Sequence, residues 1–232
     1  MMNDILSWNK SLFLLLNGSD SLYMDGVMWT VTKTVTWVPL MLLLVYIIIK
    51  NNPWRNSLLT LSTLVLLIVI TDQTASGLCK PYFKILRPTH DPEMAPFVDI
   101  VNGYRGGLYG FFSSHAANTF GAAVFLSLIF RSWTASCVLY CYATLCSYSR
   151  IYLGVHTPID ILVGIVFGTL AGVMMYLLYC YLSAKLATQH TYYSSAYTSN
   201  GYRRSDFLLV VLFLALTLLY VSFNAIRLAS QF

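Results

Sequence analysis

The chain has 232 residues, 57% of them hydrophobic and 10% charged, with a mean hydropathy of +0.66. That balance excludes an ordinary soluble domain and indicates an integral membrane protein. The net charge of +5 comes without a basic run or an RNA-binding signature, so nucleic acid is not an expected partner.

The N-terminal stretch Ile5–Leu16 is apolar but too short to span, and it lacks a basic leader and a small-residue cleavage site. It reads as an interfacial helix with Trp8 and Lys10 near the headgroups. Six longer apolar runs follow: Met28–Ile49, Leu58–Leu78, Ala116–Phe130, Thr134–Leu153, Ile159–Leu182 and Phe207–Phe223. A helical span needs about 20 mostly apolar residues. In lipid such runs are helices, because a lone strand leaves its backbone groups unpaired. The expected fold is therefore all-α, a polytopic membrane bundle of six transmembrane helices plus the interfacial helix, in one domain of residues 1–232.

Six spans put the connections alternately on two faces. One carries Lys50, Arg55, Arg131, Lys185, Arg203 and Arg204 against a single acid, Asp206, and is cytoplasmic by the positive-inside rule. The other holds Asp4, Asp20, Asp25, Asp91, Glu93 and Asp99 together with both chain ends. The connection Ser183–Asp206, rich in Tyr, Ser, Thr and Asn, reads as a surface loop. The five cysteines show no CxxC spacing, so they support neither a zinc site nor a disulfide framework.

Three stretches place polar residues on the acidic face. In "KPYFKILRP", Lys80 and Arg87 are seven apart, which on a continuing helix puts them on nearly one side about two turns apart. An ammonium and a guanidinium fork suit a phosphate ester, whereas Lys84 fits headgroup snorkelling. In "YGFFSSHAANTF", Ser113, Ser114 and His115 open a helix, whose N-terminus offers free N–H groups and partial positive charge. Taken alone, that stretch reads more simply as a plain serine cap with an interfacial histidine, because capping serines are common.

In "SRIYLGVHTPID", Ser149 and Arg150 end one span while His156 and Asp160 begin the next. Spacing of four brings Asp160 beneath the imidazole, able to accept from one ring nitrogen and leave the other bare as a nucleophile. Thr157, Pro158 and Asp160 also resemble a capping box with proline at the first helical position, which does not account for His156 or Arg150.

The order Lys-x6-Arg-Pro, Ser-Ser-His and Ser-Arg-x5-His-x3-Asp, over about residues 58 to 182, resembles the type 2 phosphatidic acid phosphatase (PAP2) family of membrane lipid phosphatases. The resemblance implies that His156 attacks phosphorus to form a phosphohistidine, Asp160 orients it, and His115 protonates the departing oxygen. It implies phosphate binding by Lys80, Arg87, Arg150, Ser113 and Ser114, with no metal and no cofactor. The middle motif departs from the family's Pro-Ser-Gly-His: Phe112 replaces proline, and Ser114 replaces glycine and tolerates positive φ poorly.

The partners implied are the bilayer and a lipid phosphate. The family resemblance alone does not separate undecaprenyl diphosphate, phosphatidylglycerol phosphate, phosphatidic acid and lipid A phosphate. The compact length and the Ser-Ser-His variant look more like undecaprenyl diphosphate phosphatases, which makes that lipid the lead and the others alternatives. The charge asymmetry puts this site on the extracytoplasmic face, and the expected location is a bacterial inner membrane. Gly164, Gly168 and Gly172 form a small-xxx-small face for bundle packing or a dimer, leaving monomer or weak homodimer open. The loop "THDPEMAPFVDIVNGYRGGLYG" is expected to line the entrance, with glycines at 103, 106, 107 and 110. A vanadium haloperoxidase would share the constellation but is soluble. A transporter or channel would line span interiors with polar groups, and only Asp72 and Lys33 lie in or near them.

Overall fold

The computed structural model describes residues 2–186 and 194–230. Among these the chain forms nine α-helices: α1 (Met2–Leu16), α2 (Leu22–Val31), α3 (Thr34–Asn51), α4 (Trp54–Asp72), α5 (Lys80–Phe83), α6 (Ser114–Phe130), α7 (Trp133–Tyr152), α8 (Pro158–Leu186) and α9 (Asp206–Ala229). A π-helical segment, Gln73–Cys79, joins α4 to α5. Serine side chains cap three of the N-termini: Ser21, Ser113 and Ser132 accept from the backbone N–H three residues on.

The first expected span is two helices. The chain breaks at Thr32 and Lys33, and the carbonyls freed there are satisfied locally: Thr36 Oγ1 donates to Thr30 O at 2.7 Å and Trp37 Nε1 to Val31 O at 2.8 Å. The second is longer than expected, because the π segment carries α4 on to Phe83. Among the described residues, four helical stretches are long and apolar enough to cross a membrane: Thr34–Asn51, Trp54–Phe83, Pro158–Lys185 and Asp206–Ala229. The expectation of six is thus met by four on length and composition. α6, the Ala116–Phe130 run, has 17 residues, and α7 is interrupted by Thr134, Ser136, Ser147, Ser149 and Arg150.

α6 and α8 form the centre of the bundle, and the glycine face is what lets them meet. A Cβ at Gly164 would stand 2.7 Å from Ser113 O, one at Gly172 would stand 2.6 Å from Gly121 O, and one at Gly168 would overlap Ala117 O. The face that left a dimer open is therefore occupied inside the chain. It fixes the helix following His156 against the helix opened by Ser113 to His115.

Contacts divide the bundle into two ends. At one, Asp206 accepts from Lys50 at 2.7 Å and Asn51 at 2.9 Å, tying α3 to α9. Here the described part of the loop after α8, from residue 194 on, packs against the bundle: Tyr202 is buried against Phe130, and Thr198 N donates to Tyr202 O at 2.8 Å. Residues 187–193 of that loop lie outside the described residues.

At the other end, Lys10 pairs with Glu93 at 2.6 Å, and Asn17 Nδ2 donates to Tyr152 O at 2.8 Å. α1 is held there by Phe13, fully buried among Met94, Val98, Ala116, Ile151 and Ile161, while Trp8 stays exposed. All three motif stretches lie at this end.

Candidate active site

Lys80 opens α5, but the helix does not continue to Arg87. Lys84 adopts a left-handed conformation (φ 51°) and closes it by donating its N–H to Lys80 O. The chain then pairs with the later loop: Arg87 N donates to Leu108 O at 3.0 Å and Gly110 N to Ile85 O at 2.9 Å. The expected helical spacing of Lys80 and Arg87 is replaced by a helix end and an extended clasp.

That clasp seats the guanidinium. Arg87 Nε donates to Tyr109 O at 3.0 Å, and the side chain lies against two of the loop glycines. A Cβ at Gly106, whose φ is +64°, would overlap Arg87 Nη1, and one at Gly110 would sit 3.2 Å from Arg87 Cγ. The loop thus covers Arg87 rather than standing away from it.

Ser113 caps α6, its Oγ accepting from Ala116 N at 3.4 Å, while its own N–H donates to Asp160 O at 3.2 Å. Helix geometry leaves the N–H groups of Ser114 and His115 without intrahelical acceptors. Ser114 takes helical backbone, and the non-glycine residues with positive φ are Lys84, Asn102 and Arg131, so its replacement of glycine brings no strain here. Phe112, in the proline position, is buried with Ala75 and Ala117, its ring 5.1 Å from that of Phe167.

The turn from α7 to α8 folds onto one carbonyl: Arg150 O accepts from Val155 N at 3.1 Å and His156 N at 3.2 Å. Gly154 (φ +73°) makes that turn, where a Cβ would meet Val98 Cγ1 at 2.5 Å. Thr157 and Asp160 form the reciprocal cap, with Thr157 N donating to Asp160 Oδ2 at 2.8 Å and Asp160 N to Thr157 Oγ1 at 3.3 Å. The same carboxylate oxygen stands 3.8 Å from His156 Nδ1. That is too long for a hydrogen bond, so the expected acceptance from the imidazole is an electrostatic approach, and Oδ2 is already engaged by the cap.

His156 is 1% exposed, Arg150 3% and Arg87 8%. Burial pushes His156 down to about 4, against the pull of Asp160 and with help from the Arg87 and Arg150 charges. Burial and the Arg150 charge likewise push Arg87 down. Arg150 is steered by two residues that the motifs do not contain: Nη1 donates to Thr32 Oγ1 at 2.6 Å, and Nη2 donates to the Tyr104 hydroxyl at 3.1 Å. Burial opposes ionisation of Tyr104, yet the charge and hydrogen bond of Arg150 outweigh it and lower the phenol. Lys80 Nζ donates to Ser76 Oγ at 3.3 Å.

Among the described residues, three buried side-chain nitrogens here have no hydrogen-bond partner: Arg87 Nη1, Arg150 Nε and His156 Nδ1. Two buried guanidiniums, a lysine and free helix N–H groups outweigh the carboxylates of Asp160 and Asp72 and make a centre short of negative charge, which an anion with several oxygens would satisfy. His115 and Ser114 also line a cavity of about 440 Å³ running down between α3, α4, α6 and α7 past Leu40, Leu44, Ile68 and Leu126. Its apolar walls suit hydrocarbon and its mouth is polar.

The sequence profile of the PAP2 superfamily matches residues 57–184. The chain belongs to that superfamily. Two bacterial relatives, both lipid A 4'-phosphatases, are similar over most of their length. That of Bacteroides thetaiotaomicron is 39% identical over 77% of this chain and 80% of its own. That of Porphyromonas gingivalis is 35% identical over 79% and 78%. The crystal structure of Aquifex aeolicus LpxE superposes with a TM-score of 0.56 at 26% identity, covering 71% of this chain and 92% of that one. A Bacillus subtilis PAP2-type phosphatidylglycerolphosphate phosphatase shares the fold, with a TM-score of 0.58 at 18% identity over 81% and 90%.

This PAP2 protein is therefore a membrane lipid phosphatase, a phosphoric ester hydrolase. The relatives displace undecaprenyl diphosphate from the lead: short length and the Ser-Ser-His variant do not encode the leaving group, whereas lipid A phosphate, an alternative on sequence grounds, matches both relatives. Thr32 and Tyr104 escaped the sequence reading for separate reasons. Thr32 lay hidden inside an assumed continuous span. The aromatic and glycines of "NGYRGG" were a visible signal, read as entrance lining.

Proposed function

We propose that the protein removes a phosphate from a lipid A-type glycolipid monophosphate by way of a phosphohistidine, without a metal. The observation that carries the reading is the set of buried, partnerless nitrogens around His156 beside an apolar cavity. The names of the two relatives support the choice of lipid.

Lys80, Arg87, Arg150 and the first turn of α6 with Ser113 and Ser114 hold the phosphate oxygens and offset charge that builds in the transition state. His156 is neutral at pH 7 because burial depresses it, and with Nδ1 turned to Asp160 its Nε2 is the attacking atom. The new N–P bond forms as the P–O ester bond breaks, and His115, protonated once the bound phosphate offsets the cations around it, gives its proton to the departing lipid oxygen. Water then attacks phosphorus, His115 takes the proton, the N–P bond breaks, and phosphate leaves.

The membrane is a bacterial inner membrane, with the site on the extracytoplasmic face. The basic connections at the opposite end of the bundle support that orientation. Purified protein in detergent and chelator should release phosphate from a lipid A 4'-monophosphate, be inhibited by vanadate, and lose turnover by about 10⁴-fold or more in His156→Ala. Full turnover by that variant would remove the nucleophile from the scheme.

A further inference from the structure

Asp72 is the last residue of α4, where the helix passes into the π segment Gln73–Cys79, a kind of local insertion that recurs at functional sites. It lies inside a stretch long and apolar enough to span the membrane, where an ionisable group is costly to keep. Among the described residues its carboxylate has neither a hydrogen bond nor an ion pair. Lys80 feels its charge, yet the Lys80 ammonium donates to Ser76. A structural salt bridge therefore does not explain the residue.

What Asp72 does face is the cavity that begins at Ser114 and His115. Asn118 and Thr119 line the same cavity and, three and four residues after His115, share its face of α6 about one turn deeper. Thr71 Oγ1 donates to Asn118 Oδ1 at 2.6 Å, which orients the Asn118 amide and leaves its N–H groups free. A polar belt with one fixed negative charge thus stands between the proton donor and the apolar walls. A leaving group that enters this cavity meets this belt.

We infer that Asp72, with Asn118, is a specificity-determining pair for the leaving group: it accepts an uncharged group bearing hydroxyl or amide hydrogens, such as an acylated sugar, and rejects a second phosphate. The inference rests on the reaction proposed above and specifies its substrate class. An acylated sugar offers O–H and N–H donors to the carboxylate and acceptors to the Asn118 amide. A lipid diphosphate would place its retained phosphate, negatively charged, at the level of Asp72. Like charges in a site of low dielectric repel more strongly than in water.

The test compares kcat/KM for a lipid A-type glycolipid monophosphate and for undecaprenyl diphosphate, in one detergent, for wild type and Asp72→Asn. The expected result is a wild type that prefers the glycolipid and a variant whose preference falls at least tenfold. That fall should come through a raised KM for the glycolipid and a lowered KM for the diphosphate. Asp72→Ser carries the same comparison if the asparagine variant is not recovered folded, and a thermal midpoint in detergent reports folding for both. Equal loss on both lipids assigns Asp72 to helix structure or to Lys80 and overturns the inference while leaving the phosphatase reaction intact. A wild type that prefers the diphosphate overturns the glycolipid reading and the selectivity assigned to Asp72 together.

Discussion

The two ends of the bundle are built from the same residue types and differ in how those residues are satisfied. At the end holding Asp206, the network closes: Lys50 and Asn51 each donate to one carboxylate oxygen, and Arg203 N donates to Asn51 Oδ1 at 3.0 Å. At the end holding His156, two guanidiniums are buried near each other and each keeps a nitrogen without a partner. Charge that is matched within the chain holds helices together. Charge left unmatched in a dry setting destabilises the empty site and becomes favourable only when an anion arrives.

The sharpest way to break this contrast is to change one residue at each end. Arg87→Lys keeps the charge but loses the fork that spans two oxygens, so kcat/KM should fall about 10²- to 10³-fold and vanadate inhibition should weaken in parallel. Asp206→Ala removes two hydrogen bonds, so the thermal midpoint in detergent should drop by roughly 2–4 °C with turnover within about twofold. Phosphate-release kinetics and melting curves on the two proteins read both effects. A lysine variant with wild-type turnover would show that the unmatched guanidinium has no part in binding phosphate.

A second prediction separates the two roles of Asp160. Asparagine keeps an oxygen for the Thr157 N–H and removes the negative charge beside the imidazole. Asp160→Asn should therefore fold and lose about 10²-fold in kcat. Thr157→Ala should do the reverse, lowering the melting midpoint through the lost cap while changing kcat only a few-fold. If Asp160→Asn turns over at the wild-type rate, the carboxylate serves the helix start alone.

Much of this arrangement was legible in the sequence because local rules carry it. The apolar runs give the helices, and Thr157 and Pro158 mark the start of α8 where it begins. Gly164, Gly168 and Gly172 indicate a close helix approach. What was not legible depends on tertiary partners. The break at Thr32 and Lys33 is stable only because Thr36 and Trp37 reach back to the freed carbonyls. Arg87 left its helix because Leu108 and Gly110, more than twenty residues on, offered the backbone a better pairing. The unresolved alternative at "HTPID", cap or catalytic pair, had no local answer, since one carboxylate oxygen faces both Thr157 and His156.

The last expected effect concerns the cost of keeping His156 buried and neutral. Its pKa, about 4 in the folded protein, lies below the ordinary 6.5. A base depressed in this way contributes no penalty above pH 6.5, where both states are neutral. Below 6.5 the unfolded imidazole binds a proton that the folded one refuses until about pH 4, so stability falls as pH falls through that window. The loss reaches at most about 3 kcal/mol at its lower edge, at roughly 1.4 kcal/mol per pH unit. Other groups titrate over the same range, so the measurement is a difference between wild type and His156→Gln, which fills the same space without a titrating ring. Their melting midpoints in detergent should run parallel above pH 6.5 and converge or cross below it as only the wild type loses ground. Curves that stay parallel down to pH 4 would mean that the imidazole gains its proton as readily folded as unfolded, and the neutral nucleophile would lose its physical basis.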